Sequence, residues 1–311
     1  MPAERNTSAA QQSNSQSSIS RRGFVSAAAG AALAAAAVRA SAAEEEGPTA
    51  PYKAHGERIR QSVIHWCFKP MSVEDLASHA ASMGVQSVEL VAPEHWPTLK
   101  KHGLTCAIAG SHGFERGFNN PENHAFCIER LTASIEAAAE FGCPNVITLS
   151  GMRGEIGEEE GKANMVTGLK KILPLAEKKG VTLCLEVLNS RVDEQMKGHP
   201  GYQCDTVEWA VDVCDRLGSD RMKILFDIYH VQIMQGDIIT RIRKYKDYIA
   251  HYHTAGVPGR RELDEQQENN YPAIMRAIAE TGYKGFVGQE FIPTTDDPIA
   301  SLRQAVELCD V

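Results

Sequence analysis

From about residue 60 onward, short runs of aliphatic and β-branched residues alternate with longer stretches whose apolar positions recur three and four apart. Eight runs read as strands, beginning near Ser62 (SVIHW), Ser87 (SVELVA), Leu104 (LTCAIAG), Asn145 (NVITLSG), Val181 (VTLCLEVLN), Lys223 (KILFDIYH), Ile249 (IAHYHTAG) and Gly285 (GFVGQEF). Between them, SVEDLASHAASMG, ENHAFCIERLTASIEAAAEFG, GKANMVTGLKKILPLAEKKG, TVEWAVDVCDRLG and YPAIMRAIAETG carry the spacing of helices with one buried face. These stretches end in Gly84, Gly142, Gly180, Gly218 and Gly282, the residue type that accepts the left-handed conformation past a helix end. Strands that alternate with helices predict a parallel sheet with crossover connections. A doubly wound open sheet shares that alternation. Eight strands without a G-x-G-x-x-G fingerprint favour a single closed (β/α)8 TIM barrel, expected over residues 61–311 after a linker at 44–60.

The first 43 residues follow another pattern. Paired arginines (Arg21, Arg22), a Phe two positions on, an Ala-rich stretch from Ala27 to Val38 and small residues ending Ala40-Ser41-Ala42 resemble a twin-arginine export signal, with cleavage near Ala42 or Ala43. A dozen Ala-dominated residues fall short of the roughly 20 that span a bilayer. The expectation is a protein handled by the twin-arginine export machinery and delivered to the periplasm or another extracytoplasmic compartment.

Charge narrows the partners. The whole chain carries a net −8, and residues 1–43 hold four arginines and Glu4, so cleavage leaves 28 basic against 39 acidic residues, a net −11. An acidic protein without a Lys/Arg-rich run is not built for nucleic acid or anionic membranes, and small molecules are the expected partners. Self-association into a homo-oligomer stays open. The eight cysteines form no C-x-x-C pair and several sit inside apolar runs, so free, buried thiols are expected.

Four residues that ligate divalent metals, Glu186, Asp227, His253 and Glu290, each stand at the C-terminal end of a separate predicted strand. In a barrel those ends converge on one mouth, so residues far apart in the chain can share one ion there. Carboxylates with one imidazole suit Mg²⁺ or Mn²⁺, and Co²⁺ or Zn²⁺ is compatible with the set. A single Glu closing an apolar strand is more often a satisfied structural acid; four ligand types at equivalent strand ends change that weighting.

The segments FDIYHVQIMQGD (226–237), LEVLNS (185–190), HPGYQ (199–203), NNYPAIM (269–275) and YKGFVGQEFIP (283–293) resemble the hydroxypyruvate isomerase family, within the xylose-isomerase-like sugar isomerase and epimerase TIM barrels. The resemblance runs from about Val63 to Pro293. It implies a divalent ion held by Glu186, Asp227, His253 and Glu290, with Glu186 and Glu290 also moving a proton on and off carbon through an enediolate. It also implies that His230 hydrogen-bonds a substrate oxygen and that Arg260, beside Arg261, pairs with a substrate carboxylate or polarises an oxygen. The reaction implied is aldose–ketose isomerisation of a keto acid or sugar, hydroxypyruvate to tartronate semialdehyde foremost. His253 departs from the Gln common at that position in hydroxypyruvate members and leans toward the ketose 3-epimerases. His65, Trp66, Glu89, Ser111 and His112 are expected to line the mouth, with His251 supporting the ion or filling the barrel. A xylose-isomerase-like endonuclease of abasic DNA would require a basic face, and an exported sugar-binding barrel would have no use for two proton-transfer groups.

Overall fold

The structure, a computed structural model, describes residues 52–311; the predicted export signal and residues 44–51 of the predicted linker lie outside the described residues. Eight strands run parallel in chain order: β1 (Arg60–Ile64), β2 (Ser87–Glu89), β3 (Ile108–Ala109), β4 (Asn145–Thr148), β5 (Thr182–Glu186), β6 (Met222–Asp227), β7 (Ile249–Thr254) and β8 (Phe286–Gln289). Their neighbours follow the order β2-β1-β8-β7-β6-β5-β4-β3, so the ends of the sheet meet as a nearly closed barrel. The seam between β2 and β3 is held by Val88 N–H to Thr105 O at 3.2 Å and Leu90 N–H to Ile108 O at 3.1 Å.

All eight predicted strands are present, most of them shorter than the apolar run that marks them and β3 the most. The run from Leu104 was expected to pair along its length, but only Ile108–Ala109 pairs with β4, and Thr105 makes a lone bridge to Ser87. The Ser87 hydroxyl accepts the Ala107 N–H at 2.8 Å, a side chain replacing the ladder bond that the bent strand loses.

The crossover helices are α1 (Val73–Ser82), α2 (Trp96–Lys101), α3 (His124–Phe141), α4 (Glu158–Lys179), α5 (Val207–Leu217), α6 (Ile228–Met234), α7 (Ile238–Tyr245), α8 (Tyr271–Glu280) and α9 (Pro298–Cys309). Their starts are chemically marked: Ser72, Thr206 and Asn270 each accept a first-turn N–H, a cap that contributes about 1 kcal/mol. Gly142, Gly180 and Gly218 close α3, α4 and α5 in the left-handed conformation, as the sequence predicts. Each helix lays one stripe on the barrel. In α4 that stripe is Met165, Leu169, Ile172, Leu173 and Ala176, so Leu169→Ala is expected to cost about 2–5 kcal/mol in lost burial and cavity. All eight cysteines are buried and unpaired, as expected for thiols packing as small apolar groups. No helix among the described residues is long and apolar enough to cross a membrane.

Candidate metal centre

Each predicted ligand reaches the mouth on its own strand. Glu186 and Asp227 are the last residues of β5 and β6, His253 is the penultimate residue of β7, and Glu290 directly follows β8. A bulge makes the middle pair meet. Ile224 pairs with Ile249, but Leu225 pairs with His251, so Ala250 is skipped and Asp227 comes opposite His253. Without that extra residue the same register would set Tyr252 opposite Asp227, because one residue of slip exchanges the two faces of a strand. The Tyr283 hydroxyl donates to the Ala250 carbonyl at 2.9 Å, satisfying the group the bulge displaces.

The four side chains are buried and their ligand atoms all lie within 4.8 Å of one another. His253 Nδ1 is 2.8 Å from Glu290 Oε2 and 3.5 Å from Glu186 Oε1. Arg260 Nη2 is 2.6 Å from Glu290 Oε2 and 3.8 Å from Asp227 Oδ2. Asp227 is divided between two tasks: Oδ1 accepts the N–H groups of Tyr229 and His230 and so starts α6, while Oδ2 faces the cluster. Asp227 Oδ2, His253 Nδ1 and Glu290 Oε2 make no hydrogen bond of proper geometry despite these short separations. Buried polar atoms without partners cost about 1–3 kcal/mol each, and more when charged. Polar atoms crowded together without hydrogen-bond partners fit a cation, and three carboxylates with one imidazole form a donor set that a hard or borderline divalent ion would satisfy.

The electrostatics of the cluster point the same way. Burial pushes Asp227 well above the usual carboxylate range, with facing Glu290 adding to it, and burial likewise raises Glu186. Burial opposes charge on Glu290 too, but Arg260 and His253 outweigh it and hold that carboxyl well below its ordinary value. Burial would lower His253, yet Glu290 and Glu186 raise it well above the ordinary imidazole value.

His230 arrives as a neutral donor. Its Nδ1 accepts the backbone N–H of Asn189 at 3.0 Å and faces the Asn189 amide nitrogen at 2.6 Å, which leaves its proton on Nε2. Burial, then Arg260, pushes its pKa well below the usual value. Nε2 lies 3.6 Å from Asp227 Oδ2 and has no hydrogen-bond partner among the described residues. Asn189 belongs to the LEVLNS segment, and its place three residues past Glu186 is the sequence signal for this contact with His230.

Arg260 is buried and held from several sides. It donates to Met196 O at 2.8 Å and Glu290 O at 3.3 Å, and its guanidinium lies 5.1 Å from the Trp66 ring centre and 5.6 Å from that of Tyr229. Arg261 turns away to Gln266.

The other expected lining residues divide. His112 lies near the mouth, its Nε2 3.1 Å from the Thr148 hydroxyl, and burial lowers its pKa to about 4. His65 instead bonds Met71 O within its own turn at 2.8 Å, and Ser111 turns to Ile147 O. Glu89 does not line the mouth: it is fully buried beneath the cluster, its Oε1 2.9 Å from His251 Nε2 and 2.8 Å from His253 Nε2. A cleft of about 460 Å³ opens beside Leu90, Trp96, Ser111 and Arg130, but no cluster residue lines it, so orphaned ligand atoms and not cavity size locate the chemistry.

The sequence pattern of the family described as xylose isomerase-like TIM barrel matches residues 77–310. A putative hydroxypyruvate isomerase of Homo sapiens is 28% identical over 75% of this chain and 89% of its own length. A 2-oxo-tetronate isomerase of Haemophilus influenzae is 30% identical over 73% of this chain and 90% of its own length. Among solved structures, an AP endonuclease family 2 protein from Brucella melitensis superposes with a TM-score of 0.68 at 23% identity, covering 78% of this chain and 97% of that one. A 3-keto-D-glucoside 4-epimerase from E. coli superposes equally well, TM-score 0.68, at 17% identity over 81% and 98% of the two chains, so both show likeness of fold alone. On the match to residues 77–310 and on these relatives, the chain belongs to the xylose isomerase-like TIM barrel family and is an isomerase within it.

Proposed function

We propose that the protein is a metal-dependent isomerase that interconverts an α-hydroxy ketone and its aldehyde isomer, with a small keto acid of the hydroxypyruvate or 2-oxo-tetronate kind as substrate. One observation carries this reading: Glu186, Asp227, His253 and Glu290 bring ligand atoms within 4.8 Å of one another, those of Asp227, His253 and Glu290 without hydrogen-bond partners, beside the unpartnered Nε2–H of neutral His230. The relatives named for hydroxypyruvate and 2-oxo-tetronate support the substrate class. Glu186, Asp227, His253 and Glu290 would hold Mg²⁺, Mn²⁺, Co²⁺ or Zn²⁺, which when bound acts as a Lewis acid on the substrate's carbonyl and adjacent hydroxyl. Glu186 and Glu290 approach from strands on two sides of the cluster, so one takes the proton from carbon and the other returns it. His230 donates from Nε2 to a substrate oxygen. Arg260, with Nη2 between Asp227 and Glu290, supplies positive charge to a substrate carboxylate or to the developing oxyanion.

His253 in place of Gln favours a second reading, a ketose 3-epimerase working through the same proton transfers on the neighbouring carbon. The Arg21–Arg22 pair and the Ala-rich stretch support export of the mature protein by the twin-arginine route. Incubation with hydroxypyruvate, 2-oxo-tetronate or free ketoses in deuterated water separates the substrates. Metal-dependent deuterium uptake beside the carbonyl of a keto acid is expected; uptake only at C3 of a ketose favours the epimerase, and no uptake into any of them overturns both.

A further inference from the structure

Beneath the predicted ion lies a second buried cluster, Glu89, His251 and His253, that shares His253 with the first. Glu89 closes β2, which is separated from β7 by β1 and β8, so its carboxylate reaches His253 across the barrel interior. The passage exists because β8 has no side chain at Gly288. A Cβ built there would lie 2.5 Å from Glu89 Oε1, 2.9 Å from Ile64 Cδ1 and 3.0 Å from His253 Cδ2. Gly288 is paired with His253 on one side and Ser62 on the other, in the middle of a strand where glycine costs conformational entropy and buries no side chain. Its presence leaves the carboxylate room to reach the ring.

We propose that Glu89 is the positioning residue of the metal centre: by accepting the His253 Nε2–H it fixes that ring so that the Nδ1 lone pair faces Glu186, Asp227 and Glu290. The inference rests on the metal-centre reading above. Carboxylate is an acceptor only, so both nitrogens that contact Glu89 Oε1, His251 Nε2 at 2.9 Å and His253 Nε2 at 2.8 Å, must carry hydrogen. The proton placed on Nε2 leaves Nδ1 as the ligating atom, and Nδ1 is the ring atom that meets Glu290 and Glu186. His251 Nε2 donates to the same Oε1, a second bond that anchors the carboxylate where it meets His253. The negative charge raises the basicity of the imidazole toward a cation.

Mn²⁺ affinity of the full chain, read from the spin-resonance signal of the free ion well below the unfolding temperature, tests this. Glu89→Gln keeps the volume and removes the charge. It is expected to weaken Mn²⁺ binding by about 10–100-fold and to diminish the imidazole-nitrogen coupling in the spin-echo spectrum of bound Mn²⁺. A Glu89 that only supports the barrel would lower the melting temperature of the metal-free protein and move neither metal readout, and that result overturns the proposal. Gly288→Ala perturbs the same contact from the opposite strand and is expected to weaken binding in the same direction. If Glu89→Gln does not fold, Gly288→Ala decides, and wild-type affinity there also overturns the proposal. Failure of the wild-type chain to bind Mn²⁺ would defeat the metal centre itself; wild-type binding that both variants share defeats only the role given to Glu89.

Discussion

Arg260 is the cation that the protein itself places in the cluster, so its removal should be felt differently with and without a metal. Arg260 Nη2 lies 2.6 Å from Glu290 Oε2, and both groups are nearly inaccessible to water. Arg260→Met keeps most of the side-chain volume and leaves Glu290 with His253 as its remaining counter-charge. Breaking a buried pair in this way costs about 3–5 kcal/mol. At about 2–4 °C per kcal/mol for a domain of this size, the metal-free variant should melt roughly 6–20 °C below wild type. A divalent ion supplies the missing charge. If it recovers even half of the deficit, about 2 kcal/mol, reciprocity requires Mn²⁺ to bind the variant about 30-fold more tightly than wild type. Differential scanning calorimetry across a Mn²⁺ titration reads both quantities. An equal melting deficit with and without saturating Mn²⁺, and no gain in affinity, would refute the reasoning, because Glu290 would then not face the ion.

Three further outcomes follow, two from the structure and the last from the sequence. Glu290→Gln keeps a ligating carbonyl oxygen and loses basicity, so it should retain bound metal and lose turnover by about 10²–10⁴-fold; near-normal turnover by the metal-loaded variant would make this glutamate a ligand alone. Asp310 accepts from the Tyr52 hydroxyl at 2.5 Å and from the His55 N–H at 2.8 Å, and although burial would raise its carboxyl, these bonds hold it below its usual value. Its contribution is therefore present above the ordinary carboxylate pKa of about 3.9 and lost as pH falls through the lowered value, and Asp310→Asn should speed proteolysis near residues 52–56 at neutral pH and flatten stability below about pH 4. Replacing Arg21 and Arg22 with Lys should hold the precursor in the cytoplasm, as cell fractionation would show; unchanged export would exclude the twin-arginine route.

The barrel and the gathering of Glu186, Asp227, His253 and Glu290 at its mouth were legible because both rest on repeating local patterns. In β5 and β6 an apolar run closes on Glu186 and Asp227, and Glu290 follows β8 in the same way, so the three acids mark where the core ends and the mouth begins. α6 was not legible: IYHVQIM continues the β-rich composition of KILFD, and what turns the chain is Asp227 Oδ1 capping two N–H groups, a contact that composition does not display. The short α2 and α7 and the C-terminal α9 also went unread, the first two at 6 and 8 residues being too brief for periodicity to declare itself. The bulge at Ala250 is likewise silent in the sequence, since it depends on the register of β7 against β6. Glu89 was read as mouth lining from its strand-end position. Only the three-dimensional path past Gly288 shows that it turns inward to His251 and His253, and only packing shows that Arg260 is clasped by Met196, Trp66 and Tyr229.

The most direct test of the central claim is the metal content of the purified full chain beside its Asp227→Ala variant, measured by elemental analysis after equilibration with Mn²⁺ and removal of free ion. The account predicts about one ion per chain in the wild type. It predicts near zero in Asp227→Ala, with the circular dichroism of the barrel retained. Equal occupancy in the two proteins, or no bound ion in either, would contradict it.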